Sequence, residues 1–421
     1  MIVNKNTGFE KNYILWRIEL TASGGSGELL RITNREKTLI SFNYSQGWAG
    51  TSVLFNAREK PLRLLGKVEE GSRVVLSCSG HYLAFYVDGQ LTDEEWPIGF
   101  VDFSGADCRE ARGRVDFYGE PLQGIPQAES AITMTQRWRP AGYNTAVGDC
   151  MPFVDEGTLR LYYLFDRRHH GSKWGLGAHQ WAQISTEDLK TWRTHPLSLR
   201  VDDQQEGSIC TGSVIRHKDQ YYAFYAVRTI DESPAWISWA VSGDGVRFTK
   251  TGTVFSLTER YHGASARDPC VFKDKNDLFH MLVTTSTGKG EEARGCLARL
   301  ESADLENWEE KEALITLDVQ DQPECSDFFY YKNYYYLVYS VSGLGRYLIS
   351  ANPFGPWKAP ENNIVIGASS IVPKSCIWHK ERLLFASWTT DYMCFGGYLV
   401  LHEARQGPDG ILEFFPLPEL N

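Results

Sequence analysis

Several things are missing from this 421-residue chain, and each absence narrows what it can be. There is no basic run, and the formal net charge is −10, which argues against nucleic acid or an anionic membrane as partners. No apolar run reaches the roughly 18 residues of a membrane span. The opening Met1-Ile2-Val3-Asn4-Lys5-Asn6 has neither the basic stretch nor the apolar core of a signal peptide. Nine cysteines, an odd number with no Cys-x-x-Cys pair, read as buried reduced thiols. A cytoplasmic protein is the expectation. No amphipathic helix of any length stands out either.

What the chain does have is aromatic residues, 13% of the total, with 13 Trp and 21 Tyr. Aromatics favour strands, and in a cleft they also stack on sugar rings. Residues 1 to about 120 read as short alternating strands at 13–20, 38–44, 51–56, 73–77 and 82–87. Turn text such as Ser23-Gly24-Gly25-Ser26-Gly27 and Asp88-Gly89 divides them. That pattern suggests a lectin-like β-sandwich of the jelly-roll kind. Residues 121–145, with Pro121, Pro126 and Pro140, read as a linker.

From 146 to 421 the chain repeats itself. Five aromatic-rich β segments start at 159, 220, 278, 334 and 383, spaced 61, 58, 56 and 49 apart. Four of them are followed by a second cue, a Ser with an aromatic six or seven residues on, as in Ser185 to Trp192 and Ser302 to Trp308. Periods of this length with several short strands each indicate propeller blades. Stacked parallel coils would need shorter periods. The expected fold is therefore all-β, a five-bladed β-propeller preceded by a lectin-like β-sandwich.

Three acidic motifs fall within the repeats: Gly148-Asp149-Cys150, Arg267-Asp268-Pro269 and Glu324-Cys325-Ser326-Asp327. Each acid precedes its aromatic segment by the same count, 159 − 149 = 10, 278 − 268 = 10 and 334 − 324 = 10. Matched positions in three blades should converge on the propeller axis. Two carboxyl groups flanking a glycosidic bond, one protonated and one ionised, are what its hydrolysis requires.

Arg267-Asp268-Pro269-Cys270-Val271-Phe272 and Glu324-Cys325-Ser326-Asp327-Phe328-Phe329 resemble the signatures of glycoside hydrolase family 32, the invertases, levanases and inulinases. Trp174-Gly175 with His179-Gln180-Trp181-Ala182, and Cys210-Thr211-Gly212-Ser213, are similar to its weaker motifs. The resemblance covers residues 140 to 421. It implies Asp149 as nucleophile, Glu324 as general acid and then base, and Asp268 as transition-state stabiliser. It also implies Arg267, Trp174, Asp166, His179, Trp181 and Thr211 as substrate-binding residues. The family's first motif, Trp-Met-Asn-Asp-Pro-Asn-Gly, reads here Ala146-Val147-Gly148-Asp149-Cys150-Met151-Pro152, and its usual Gln on the next strand is Leu164. The family usually carries its sandwich after the propeller. Arg167, Arg168, His169, His170 and Lys173 crowd one loop, fit either to bind an anionic sugar or to serve as a polar surface.

The resemblance implies a retaining, exo-acting hydrolase of a β-fructofuranoside or related furanoside oligosaccharide, with no cofactor and no metal. Two alternatives stay open. One is an inverting arabinofuranosidase or xylosidase of the family 43 type, in which Asp149 would act as a base through water. The other is a propeller that binds carbohydrate without catalysis.

Overall fold

The computed structural model describes residues 15–22, 25–35, 37–56, 60–79, 82–95, 97, 99–111, 115–118, 129–141, 145–167, 179–201, 206–229, 235–390 and 395–420. Two compact units emerge, the first built mainly from Met1–Ile125 and the second mainly from Pro126 onward.

The first unit is a sandwich of two five-stranded antiparallel sheets. One orders Val115–Tyr118, Leu15–Thr21, Arg73–Ser79, Leu83–Val87 and Gln90–Glu95; the other orders Leu62–Lys67, Trp48–Val53, Lys37–Ser45, Gly27–Asn34 and Ala106–Ala111. Alternation builds the core. In Leu62–Lys67, Leu62, Leu64 and Gly66 are buried while Arg63, Leu65 and Lys67 face water. Trp16 meets Phe103 edge to face at 5.6 Å, and Phe42 lies 6.3 Å from Phe85. The strand expected at 51–56 is displaced to Trp48–Val53. Gly27–Asn34, Leu62–Lys67 and Ala106–Ala111 escape the sequence reading because charged residues interrupt their apolar text.

The second unit is a five-bladed propeller. The innermost strands of its blades are, in turn, Thr145–Asp155, Glu206–His217, Arg267–Lys273, Glu324–Tyr331 and Ile371–Trp378. The five aromatic segments fall in the second strands, Thr158–Arg167, Gln220–Thr229, Phe279–Thr287, Tyr334–Val341 and Arg382–Thr389. Successive residues of a second strand are buried, as along 279–286 and 383–388, so both of its faces are covered and apolar residues suit both. The Ser-to-aromatic cue is the turn that follows the third strand. Asp188 Oδ1 accepts from the Lys190 and Thr191 amides, Asp304 Oδ1 from those of Glu306 and Asn307, and the Trp308 indole closes on the Leu305 carbonyl at 3.1 Å.

The ring closes between the first and fifth blades. Trp138 and Leu399 exchange both backbone hydrogen bonds (3.1 and 2.7 Å), as do Val147 and Gly397 (3.0 and 2.9 Å). Only glycine fits at 397, where an added Cβ would stand 2.2 Å from the Thr389 carbonyl oxygen. Ser130–Ile132, in the stretch read as linker, pairs with Trp192–Thr194 as the outermost strand of the first blade. Among the described residues no helix is long and apolar enough to cross a membrane.

Candidate active site

The innermost strands of the first, third, fourth and fifth blades carry the same irregularity. Pairing with the second strand breaks between Val147 and Cys150, Arg267 and Cys270, Glu324 and Asp327, and Ile371 and Lys374, leaving two residues bulged out each time. The first bulged residue is left-handed in three of them, with φ of 54° at Asp268, 50° at Cys325 and 41° at Val372. Left-handed backbone costs a non-glycine residue about 1–2 kcal/mol, and such strain gathers where a fold must aim particular groups.

This register corrects one expectation. The three acids do not occupy matched positions: Glu324 is the last paired residue before its bulge, Asp268 the first bulged residue, and Asp149 the second. The equal counts of ten arise because the hairpins differ. Their innermost pairs are Asp155↔Thr158, Lys273↔Phe279 and Tyr331↔Tyr334, so a longer loop in the third blade offsets its shorter paired stretch.

The acids nonetheless meet around one residue. The Cys325 amide donates to Asp268 Oδ2 at 3.0 Å, and its thiol reaches Asp149 Oδ2 at 3.5 Å. Glu324 is its chain neighbour. Arg267 donates to Glu324 Oε1 at 3.0 Å, and its Nε lies 3.7 Å from Asp268 Oδ2. The same guanidinium donates to the Ser265 carbonyl and to Gln322. Burial would lower the affinity of this arginine for its proton, but Asp268 and Glu324 outweigh it and the pKa is raised. Asp149 receives two further donors, Thr211 Oγ1 at 2.5 Å on Oδ2 and Trp388 Nε1 at 3.0 Å on Oδ1. Burial, and then the charge of Asp149, push the Cys325 thiol well up, so it stays protonated and donates.

The arrangement is two carboxylates held by donors and a third tethered to a guanidinium. Residues 151–365 match the family described as the glycosyl hydrolases family 32 N-terminal domain, which is half of the chain. The chain belongs to glycosyl hydrolase family 32. It is 30% identical to a sucrose-6-phosphate hydrolase of Bacillus subtilis over 138 residues, covering 32% of this chain and 28% of that protein. A sucrose-6-phosphate hydrolase of Zymomonas mobilis is 27% identical over 207 residues, 44% of this chain and 40% of that one. The chain thus spans less than half the length of these curated relatives. The solved sucrose-6-phosphate hydrolase of Lactobacillus gasseri shares its fold with a TM-score of 0.56 at 16% identity, covering 68% of this chain and 63% of that chain.

The other residues expected from family 32 fall in different places. Arg267 and Thr211 join the carboxylates, as above. Trp181 does not: it is fully buried, packed between Tyr162 (6.0 Å) and Tyr225 (6.2 Å), with Nε1 donating to the Cys210 carbonyl at 2.9 Å. It shapes the strand that presents Thr211 rather than offering a face to sugar. His179 is buried, 4.9 Å from the Phe395 ring. Asp166 lies on the second strand of the first blade, paired with Ala146, and its side chain lies outside the described residues. Trp174 and the loop residues Arg168, His169, His170 and Lys173 lie outside them altogether. Among the described residues no group of three His, Cys, Asp or Glu could hold a metal.

Three residues near the carboxylates were not singled out from sequence: Trp388, Phe395 and Lys374. Trp388 ends the fifth aromatic segment, which is the one signal that could have drawn attention to it. Phe395 stands 5.1 Å from the Trp388 ring and fills the space that a side chain at Gly148 would need; an added Cβ there would be 2.9 Å from Phe395 and 3.0 Å from Leu164. Where the family's motif carries Asn, this chain has an aromatic wall. Lys374 is one lysine among many in the text, and only the register places it beside the site.

Proposed function

We propose that the protein is a retaining glycoside hydrolase acting from the chain end on a β-fructofuranoside or a related furanoside. Asp149 attacks the anomeric carbon while Glu324 gives its proton to the departing oxygen, so the glycosidic bond breaks as an ester to Asp149 forms. Glu324, now a carboxylate, takes a proton from water; that water attacks the same carbon and frees Asp149. Asp268 faces the sugar and stabilises the positive charge that develops on it.

The observation that carries this reading is the placement of all three carboxyl groups around Cys325. Donors on both oxygens of Asp149 fix the orientation of its carboxyl group, as a nucleophile requires. Glu324 accepts from Arg267 and is 22% exposed, open to the departing oxygen and to the water that follows it.

The test is methanolysis of an aryl β-furanoside, with the configuration of the first-formed methyl glycoside read by NMR. Retention is expected. Inversion would move the assignment to the family 43 type of mechanism, and no turnover of any aryl furanoside or fructan would leave a carbohydrate-binding propeller.

A further inference from the structure

The fifth blade bulges as the catalytic blades do, yet it contributes no carboxylate. After its bulged pair Val372-Pro373, the first residue to resume pairing is Lys374, opposite Ala386. The corresponding residues elsewhere are Cys150, Cys270 and Asp327. Lys374 is 3% exposed. Its ammonium crosses from the fifth blade to the second and donates to the Gly212 carbonyl at 3.0 Å. Gly212 follows Thr211, the residue whose hydroxyl holds Asp149.

We infer that Lys374 is a positioning residue, a buried cation that balances the carboxylates and fixes the strand presenting Thr211 to Asp149. An isolated buried ammonium is costly, and proteins keep one only where other groups compensate it. The compensation comes from three sides. The Asp268 carboxylate faces it from the third blade, the Asp327 carboxylate from the fourth and the Gly212 carbonyl from the second, while the thiols of Cys270 and Cys325, kept protonated by burial, stand beside it without charge. Asp149 of the first blade stands beyond Cys325. Burial opposes the charge on Lys374, but these groups outweigh it and its pKa is raised.

Asp327 faces Lys374 while also accepting from the Ser375 amide and hydroxyl at 2.7 and 2.6 Å, so removing the ammonium would leave Asp268 and Asp327 without the cation they share.

The catalytic half of this inference rests on the roles proposed for Asp149 and Glu324; the stability half does not. The experiment compares wild type with Lys374→Met in two measurements. Melting temperature is followed from pH 7.5 to pH 4.5. Removing the cation leaves the carboxylates repelling one another, and protonating them relieves that repulsion, so the deficit of the variant should be largest at pH 7.5 and should narrow as pH falls. In the second measurement, hydrolysis of an aryl furanoside should lose on the order of 100-fold in kcat, with the acid limb of the pH profile moved to higher pH. A deficit of constant size across the pH range, or an unshifted acid limb, would overturn the inference, since a filler of space has no reason to follow the carboxylates. Should Lys374→Met fail to fold, Lys374→Gln keeps a donor for the Gly212 carbonyl without the charge and is judged by the same two criteria. A wild-type protein that hydrolyses no furanoside would sink the proposed function and leave the thermal measurement to decide on Lys374.

Discussion

The indole of Trp388 donates to Oδ1 of Asp149 at 3.0 Å, linking residues 239 positions apart in the chain. Trp388 sits on the second strand of the fifth blade, opposite Ile371, and is 5% exposed. The bond spans the seam where the ring closes, so closure of the propeller and aim of the carboxylate are one structural event. A hydrogen bond to a charged group contributes about 1.5–3 kcal/mol. Trp388→Phe keeps a ring in place and removes the donor. It should lower kcat/KM by about 10-fold to 150-fold, the same energy expressed as a rate. Near-ultraviolet circular dichroism should confirm an intact fold. A loss below about 3-fold would show that the bond does not aim Asp149.

Gly148 offers a steric test of the same aim. Its φ is not left-handed, so alanine there is opposed by space alone: the new methyl would press on Phe395 and Leu164. Gly148→Ala should displace Asp149 and cut kcat by at least 10-fold, with a modest fall in melting temperature. Phe395→Ala opens the space. The double variant should therefore be more active than Gly148→Ala alone, an interaction that a double-mutant cycle reads directly. Simple additivity of the two losses would mean that the crowding at Gly148 is not what fixes Asp149.

Much of this is legible in the amino-acid sequence. The blades announce themselves because each second strand is buried on both faces and so reads as an unbroken aromatic run, as in Tyr334 to Tyr339. The acids announce themselves through short local text around Asp268 and Glu324. Position within the bulge was not legible, because a count along the chain cannot separate a longer loop from a shorter strand. Trp388, Phe395 and Lys374 were hidden for a different reason: each acts across the ring on another blade, and nothing near it in sequence records the partner. Trp181 misled because a family motif marks it while its ring serves the core.

Two histidines, His195 buried and His402 half-buried, set the response of the fold to mild acid. Burial lowers the pKa of His402 on the Tyr398–Gln406 strand, and lowers that of His195 despite the opposing pull of Glu129 at 3.1 Å. His195 also shares a hydrogen bond with Ser185 Oγ at 2.7 Å. In the unfolded chain a histidine takes a proton near pH 6.5, so below that value the unfolded state binds protons that the folded state refuses. The stability from these residues is present above about pH 6.5 and is lost as pH falls below it. Melting temperature should drop between pH 7 and pH 5. His402→Gln should flatten that drop, whatever it does to stability at pH 7. A slope unchanged in His402→Gln would place the acid sensitivity elsewhere.

The roles of Asp149 and Glu324 separate most clearly by leaving group. Glu324→Ala removes the acid, so a substrate with a poor leaving group should lose several orders of magnitude in kcat/KM. An aryl furanoside with an activated phenol needs little protonation, and its first step should survive. The ester to Asp149 then accumulates, since no base remains to activate water; a burst of phenol followed by slow turnover is the kinetic sign. Azide needs no base and should restore turnover of Glu324→Ala, giving a glycosyl azide of retained configuration. Asp149→Ala should be inactive on both kinds of substrate, because no ester can form, and any azide product should be inverted. Equal losses on both substrates for Glu324→Ala, with no burst and no rescue, would remove it as the acid. The Arg267 contact at 3.0 Å would then be read as a purely structural ion pair.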